Sequence, residues 1–422
     1  MTVRTVVVTT LAVTALTAVA LTSAPEDAAP PSAAPPAPAP TTVDTGDDVL
    51  PDTITKPGGL VVRRREPFTP GELSAIAALN DVEAIAPTES ATLGLTATVP
   101  SRGRQRLSDG FHIPLSALAV DPPAYATILA SIANVEQSDV ERLTRLVADQ
   151  ALQTATGHAL RPLEIGDTII VGGSERTIAG VVDDVFAPSH EIVVHADGAQ
   201  ELGFASPSRL LVQHRSADVE RLRAHLTQFL PDEGFGRIDN HTAQRRAPLV
   251  LGLAELKHRF GEFAYRPRPG QRTIDIDPQF VDDHIVTTEV PVLGRVTCHR
   301  GIIDDLRAAL AEVVDAELTA HLRPDRYGGC FVPRMIDPDG HRLSHHAWGI
   351  AIDINVDLSA PGLGPVPPEE MIAAFARHGF RWGGTFSTPD NHHFEWVGAA
   401  AQVRRARRAA EPAPATSLPT VP

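Results

Sequence analysis

The chain has only two cysteines in 422 residues, Cys298 and Cys330, and they form no C-x-x-C pair. That excludes a zinc site built from closely spaced thiolates. Positive charge is also short. Lys and Arg total 37 against 52 Asp and Glu, a formal net charge of −15. A general nucleic-acid binder carries a basic surface, so no nucleic-acid partner is expected. The first part of the chain lacks any cluster that could do chemistry. His112, His158, His190, His195, His214 and His225 are scattered without metal-ligand spacing, and each reads as a surface or hydrogen-bonded histidine. What remains is ordinary for a globular protein, with 43% apolar and 21% charged residues. A chain of this length exceeds what one hydrophobic core organises, so two folded domains are expected.

The ends differ from the middle. Residues 1–24 combine Arg4 with an apolar run from Thr5 to Thr22 and small residues at Ser23 and Ala24. Such a segment is a secretory signal or, because Pro25 hinders cleavage, a retained membrane anchor. Residues 25–50 begin with an almost pure Ala, Pro, Ser and Thr stretch, which favours extended conformations and acts as a linker. Residues 399–422 read as a disordered tail. Its Arg404, Arg405, Arg407 and Arg408 are a solvated helix end or, as a second reading, a contact for an anionic polymer or membrane.

Residues 51–250 carry α+β signals. Leu73, Ile76 and Leu79 recur at helical spacing and lead into a short strand. Asp167–Val171 and Arg176–Val182 read as a hairpin around Gly172-Gly173-Ser174. "RLLVQHR" reads as a strand, followed by a helix over Asp218–Leu230 with Ser216 as its N-cap. The stretches "LNDVEAIAP", "AVDPPAYA" and "LRPLEIGDTIIVGGSERTIAGVVDD" weakly resemble the extracytoplasmic core domain of ABC-transporter permeases. The resemblance implies a docking module with a membrane-protein partner rather than an enzyme.

From residue 251 to 398 the texture changes. Ile303, Leu306, Leu310, Val314 and Leu318 mark an amphipathic helix over Gly301–Leu322. A Tyr327-Gly328-Gly329 turn follows, and then "SHHAWGIAIDIN" from Ser344 to Asn355. Gly349 argues against a helix there, and Ile350, Ile352 and Ile354 alternate. The segment is therefore a strand with a buried Ile face, and Asp353 points the other way beside the small Ala351. Downstream, "PDNHHFEW" supplies Asp390, His392, His393 and Glu395. His346, Asp353 and His393 could converge on one ion. Two imidazoles and a carboxylate form a zinc set of the open type, with a fourth position left for water or substrate.

The pattern Ser344, His346, Gly349, Ala351, Asp353, followed by Asp390, His393, Phe394 and Glu395, resembles the zinc D-alanyl-D-alanine carboxypeptidase family (peptidase family M15). That family includes vancomycin-resistance D,D-peptidases and L-alanyl-D-glutamate endolysins. The resemblance implies Zn2+ held by His346, Asp353 and His393. It implies Asp390 as general base and Arg334, in "GGCFVPR", as the donor to the oxyanion. Ser344 would contact substrate or the ligand surroundings. His345 and His392 are expected on the opposite face. Glu395, two residues beyond His393, would orient an imidazole.

The expected fold is α+β, a zinc peptidase domain with a small antiparallel sheet and packed helices, preceded by a second α+β domain. The expected activity is hydrolysis of peptidoglycan stem peptides outside the cytoplasm, as a D,D-carboxypeptidase. The alternatives are an endopeptidase of the L-alanyl-D-glutamate type and a non-catalytic wall-binding or regulatory protein. In an exported chain, Cys298 and Cys330 would form one disulfide around the amphipathic helix.

Overall fold

Strand pairing in the first half depends on one unusually long strand. In the computed structural model, β1 (Gly58–Arg63) is followed by β2 (Val82–Val99), β3 (Gln105–Arg106) and β4 (Ile113–Val120). β5 (Gln150–Thr154), β6 (Thr168–Val171), β7 (Ser174–Val182), β8 (Ile192–His195), β9 (Arg209–His214) and β10 (Arg237–Asn240) complete one sheet. The structure describes residues 58–64, 66–100, 103, 105–107, 110–215, 218–230, 237–240, 251–336, 342–357, 362, 364–386 and 389–398. The leader, the linker, the arginine-bearing tail and Ser216 therefore lie outside the described residues.

The order β10-β1-β9-β2-β4-β8-β5-β7-β6 returns on itself, because β6 also pairs with β2. One edge of β2 pairs first with β9 through Thr88 and then with β6 from Leu95, with a register shift between Leu95 and Ala97. Such a bulge bends and twists a strand, which is what closing a small ring requires. Leu93, Leu95, Leu115, Ala117, Ile169, Val171, Ile178 and Val194 pack together as one buried cluster. On the other face, Leu118, Val120, Leu152 and Val193 pack under the helices α2 and α3 described next.

Among the described residues, five helices accompany this sheet: α1 (Pro70–Ala77), α2 (Pro122–Ile132), α3 (Gln137–Thr144), α4 (Ala155–Leu160) and α5 (Val219–Thr227). Their starts follow local chemistry. Thr69 and Glu72 form a capping box at α1, and Asp121 caps α2 ahead of Pro122 and Pro123. α5 is capped by Asp218, whose side chain accepts from Arg221 N at 2.9 Å. The predicted hairpin is present as β6 and β7, whereas the predicted short strand after α1 is the eighteen-residue β2.

The second half contains α6 (Leu253–Phe260), α7 (Pro278–His284), α8 (Ile303–Asp315) and α9 (Glu369–Arg377). Its strands are two hairpins, β11 (Tyr265–Pro267) with β12 (Ile274–Ile276) and β13 (Ile285–Val290) with β14 (Gly294–His299). A three-stranded antiparallel sheet orders β15 (Ala351–Asp353), β17 (His393–Trp396) and β16 (Phe380–Trp382) as β15-β17-β16. α+β is thus the class of the described chain. Leu306, Leu310, Val313, Ile350, Ile352, Ile354, Phe375 and Trp396 share one core. Helix α8 stops at Asp315, short of the predicted Leu322. Glu317 takes a left-handed φ of 58°, and Leu318 N donates to Val313 O at 3.0 Å, which closes the helix end. Val313 is buried there, while Val314 is 42% exposed.

The two halves meet through buried charge. Lys257 of α6 has a fully buried ammonium group, 2.9 Å from each oxygen of buried Glu191 and 2.8 Å from Glu262. Arg161 reaches Glu262 at 2.6 Å, and Ser116 N donates to Glu191 at 3.1 Å. Burying an ammonium costs several kcal/mol unless it is paired, and here it has two carboxylates.

Cys298 of β14 and Cys330 are joined in a disulfide that encloses α8. In the chain-entropy picture a loop of this size contributes about 3–4 kcal/mol. Replacing both cysteines with serine is therefore expected to lower the denaturant-derived unfolding free energy by that order. An unchanged midpoint would contradict it. Among the described residues no helix is long and apolar enough to cross a membrane.

Candidate metal centre

The strand alternation that buries Ile350, Ile352 and Ile354 turns Asp353 to the other face of β15. Antiparallel pairing then places Asp353 directly opposite His393 of β17, and Ala351 opposite Glu395. Cross-strand partners of this kind bring side chains together on one face. The small Ala351 leaves room for the Glu395 carboxylate.

His346 arrives from a single 3-10 turn, His345–Ala347. Ser344 caps that turn, its hydroxyl accepting from His346 N at 3.3 Å. Ser344 is buried, so its visible task is to place the His346 backbone. Gly349 ends the turn at φ 67°, and an added Cβ would lie 2.8 Å from His299 N. This close approach lets Gly349 O accept from His299 N at 2.8 Å and fixes the histidine turn to the disulfide-bearing strand.

His346 Nε2 lies 3.1 Å from Asp353 Oδ1, His393 Nδ1 lies 3.0 Å from the same oxygen, and the two ring nitrogens are 3.3 Å apart. A tetrahedral ion with bonds of about 2.0–2.1 Å spaces its donors roughly 3.3 Å apart, so the three atoms fit one zinc. His346 Nδ1 faces Cys330 O at 2.9 Å. That contact commits one ring nitrogen to a backbone carbonyl and leaves Nε2 for an ion. Among the described residues, these three form the one group of metal-ligating side chains. The histidines of the first half do not assemble. His190, for example, is buried between Pro188 O at 2.9 Å and Ser90 Oγ at 3.0 Å.

The other expected site residues fall around this cluster. Arg334 Nη2 donates to Asp353 Oδ2 at 3.2 Å, so the guanidinium holds the ligand carboxylate from behind while Oδ1 faces the histidines. Asp390 lies in the turn before β17, its backbone oxygen accepting from His393 N at 3.3 Å. The turn closes around Gly383, where a Cβ would come within 2.6 Å of Asp390 O. The Asp390 carboxylate stays about a third exposed, with Oδ1 3.1 Å from His392 Nε2. The expectation that His345 faces away is corrected. His345 Nδ1 sits 2.7 Å from Glu395 Oε2, and His392 stands against Asp390. Neighbours on a 3-10 turn point about 120° apart, with 3.0 residues per turn, so alternation was the wrong guide at His345.

Burial pushes the Asp353 carboxyl up, but hydrogen bonds from His346 and His393 outweigh it and hold the group well below the usual carboxylate range. Burial lowers His346 most, and although Asp353 pulls the other way, the nearby His393 and Arg334 charges add to the lowering. For His393 burial also lowers, yet Asp353 and Glu395 overcome it and raise the ring to about 9. An entering ion must displace that proton at any pH below about 9. Zinc affinity is therefore expected to fall about tenfold per unit as pH drops from 8.5 to 6.5. In the metal-free protein the same proton stabilises the fold fully below about pH 6.5 and is lost as pH rises through about 9. Competition with a chromophoric chelator across this range checks it, and a flat profile would contradict it.

Residues 338–396 match the family model described as D-alanyl-D-alanine carboxypeptidase. This short stretch holds all three clustered residues and Asp390. It supports a peptidase-like segment in the second half, as the sequence resemblance implied. No curated protein matches the chain. The periplasmic region of MacB from Actinobacillus actinomycetemcomitans is similar at 11% identity and a TM-score of 0.31, covering 46% of this chain and 95% of that one. The extracellular domain of the ABC-type transporter YknZ from Gram-positive bacteria is similar at 12% identity and 0.27, covering 41% and 94%. With scores this low, neither contributes to a functional reading.

Proposed function

We propose that the chain is an exported zinc peptidase that hydrolyses peptidoglycan stem peptides, acting as a D-alanyl-D-alanine carboxypeptidase. The observation that carries the proposal is the convergence of His346 Nε2, Asp353 Oδ1 and His393 Nδ1 within a segment matching that family model. A zinc ion held by these atoms supplies Lewis-acid activation of water and of the scissile carbonyl. The chain supplies the rest. Asp390 takes a proton from the attacking water and returns it to the leaving amine as the C–N bond breaks. Arg334 donates N–H groups toward the oxyanion while keeping Asp353 in place, the kind of electrostatic aid worth about 3–4 kcal/mol. Ser344 holds the His346 turn.

The same proposal assigns residues 251–398 to catalysis and residues 51–250 to docking, with a membrane protein as the docking partner. It places the chain outside the cytoplasm, where the leader exports or anchors it and the linker lets it reach the wall. Mass spectrometry of purified muropeptides incubated with the full chain tests the proposal. Loss of one terminal alanine from pentapeptide stems, abolished by a chelator and restored by zinc, is expected. Cleavage between L-alanine and D-glutamate would instead identify an endopeptidase. Intact muropeptides would leave a wall-binding protein.

A further inference from the structure

His345 is not among the residues that match the peptidase motif, yet its ring is turned toward Glu395, the carboxylate behind His393. Its Nδ1 lies 2.7 Å from Glu395 Oε2, and that same oxygen lies 3.6 Å from His393 Nε2. His393 presents Nδ1 to Asp353 and His346, so Nε2 is its remote nitrogen. The two histidine ligands are thus backed differently. His346 rests on the carbonyl of disulfide-bonded Cys330 at 2.9 Å, a fixed backbone acceptor. His393 faces a carboxylate on a side chain with several rotatable bonds. At 3.6 Å that carboxylate is beyond hydrogen-bond length, so His393 attracts it through charge without fixing its orientation. Of the two rings, His345 is the closer to Glu395, its Nδ1 in contact at 2.7 Å though not aligned as a hydrogen bond. Glu395 is 5% exposed, and a buried carboxylate needs such a partner.

We propose that His345 is a positioning residue: it fixes the Glu395 carboxylate behind His393 and thereby sets how firmly that ligand holds the metal. This rests on the zinc reading above. Partners behind a metal ligand orient its ring and raise its basicity, and losing one typically costs 10–100-fold in affinity.

Zinc affinity, measured by chelator competition on the full chain, tests the proposal in four proteins besides wild type. His345→Phe keeps the ring volume without a donor, and it should bind zinc at least about tenfold more weakly. His345→Gln keeps a donor and should recover most of that loss. Glu395→Gln should weaken binding by a similar factor. Because both groups act through one contact, the double variant His345→Phe/Glu395→Gln should be no weaker than Glu395→Gln alone. Circular dichroism of the metal-free proteins accompanies each measurement. Should His345→Phe not fold, the donor-free His345→Leu takes its place, with the same loss of at least about tenfold expected and wild-type affinity counting against the role of His345. Wild-type affinity in His345→Phe, or losses that simply add in the double variant, would overturn the role of His345 while leaving the zinc site standing. A wild-type chain that takes up no zinc would overturn both readings.

Discussion

Asp390→Asn is expected to lower the turnover of a stem pentapeptide by about 10²–10⁴-fold without loss of bound zinc. The carboxylate is not part of the ligand cluster. It sits in the turn that leads into β17, about a third exposed and so open to substrate. Asparagine keeps the size and one acceptor oxygen but cannot carry a proton from water to the leaving amine. KM should change little, because the loss falls on a group that acts in the transition state. Elemental analysis alongside D-alanine release separates the two readouts. Turnover within a few-fold of wild type would remove Asp390 from the proton path. Loss of zinc together with activity would show that its role is structural.

His346→Ala is expected to act more severely and differently, abolishing both zinc binding and D-alanine release. The ring is fully buried and joins three things: Asp353 Oδ1, His393 Nδ1 and the Cys330 carbonyl. Its removal leaves two donors for the ion and an unpaired buried carbonyl, which adds about 1–3 kcal/mol of destabilisation. The melting temperature of the metal-free variant should fall for that reason, while zinc should no longer raise it. A His346→Ala protein still stabilised by zinc would place the ion elsewhere. Set beside Asp390→Asn, this variant distinguishes holding the metal from moving the proton.

The site was more legible than the frame around it. Ile350, Ile352 and Ile354 announce a strand with one buried face, which puts Asp353 on the other, and the spacing to His393 survives as a direct cross-strand pair. The disulfide between Cys298 and Cys330 was expected from an exported chain with one cysteine pair, and it is present. Long-range pairing was harder to read. Strand β2 contains Pro87 and Gly94, which break a simple strand signal, and its change of partner from β9 to β6 depends on a bulge that no local pattern encodes. The end of α8 was misread because periodicity continues through Leu318 while the backbone has already turned left-handed at Glu317. His345 was misread for a related reason. A strand-like alternation was extended one turn too far toward the N-terminus, into residues that form a 3-10 turn. In each case a tertiary contact or a single backbone conformation overrode the local period.

Anomalous diffraction at the zinc edge, from crystals of the chain grown with zinc, addresses the central claim most directly. One strong peak within about 2.0–2.1 Å of His346 Nε2, Asp353 Oδ1 and His393 Nδ1 is the predicted result. A map with no peak among these three atoms, or one in which they stand too far apart to share an ion, would contradict it.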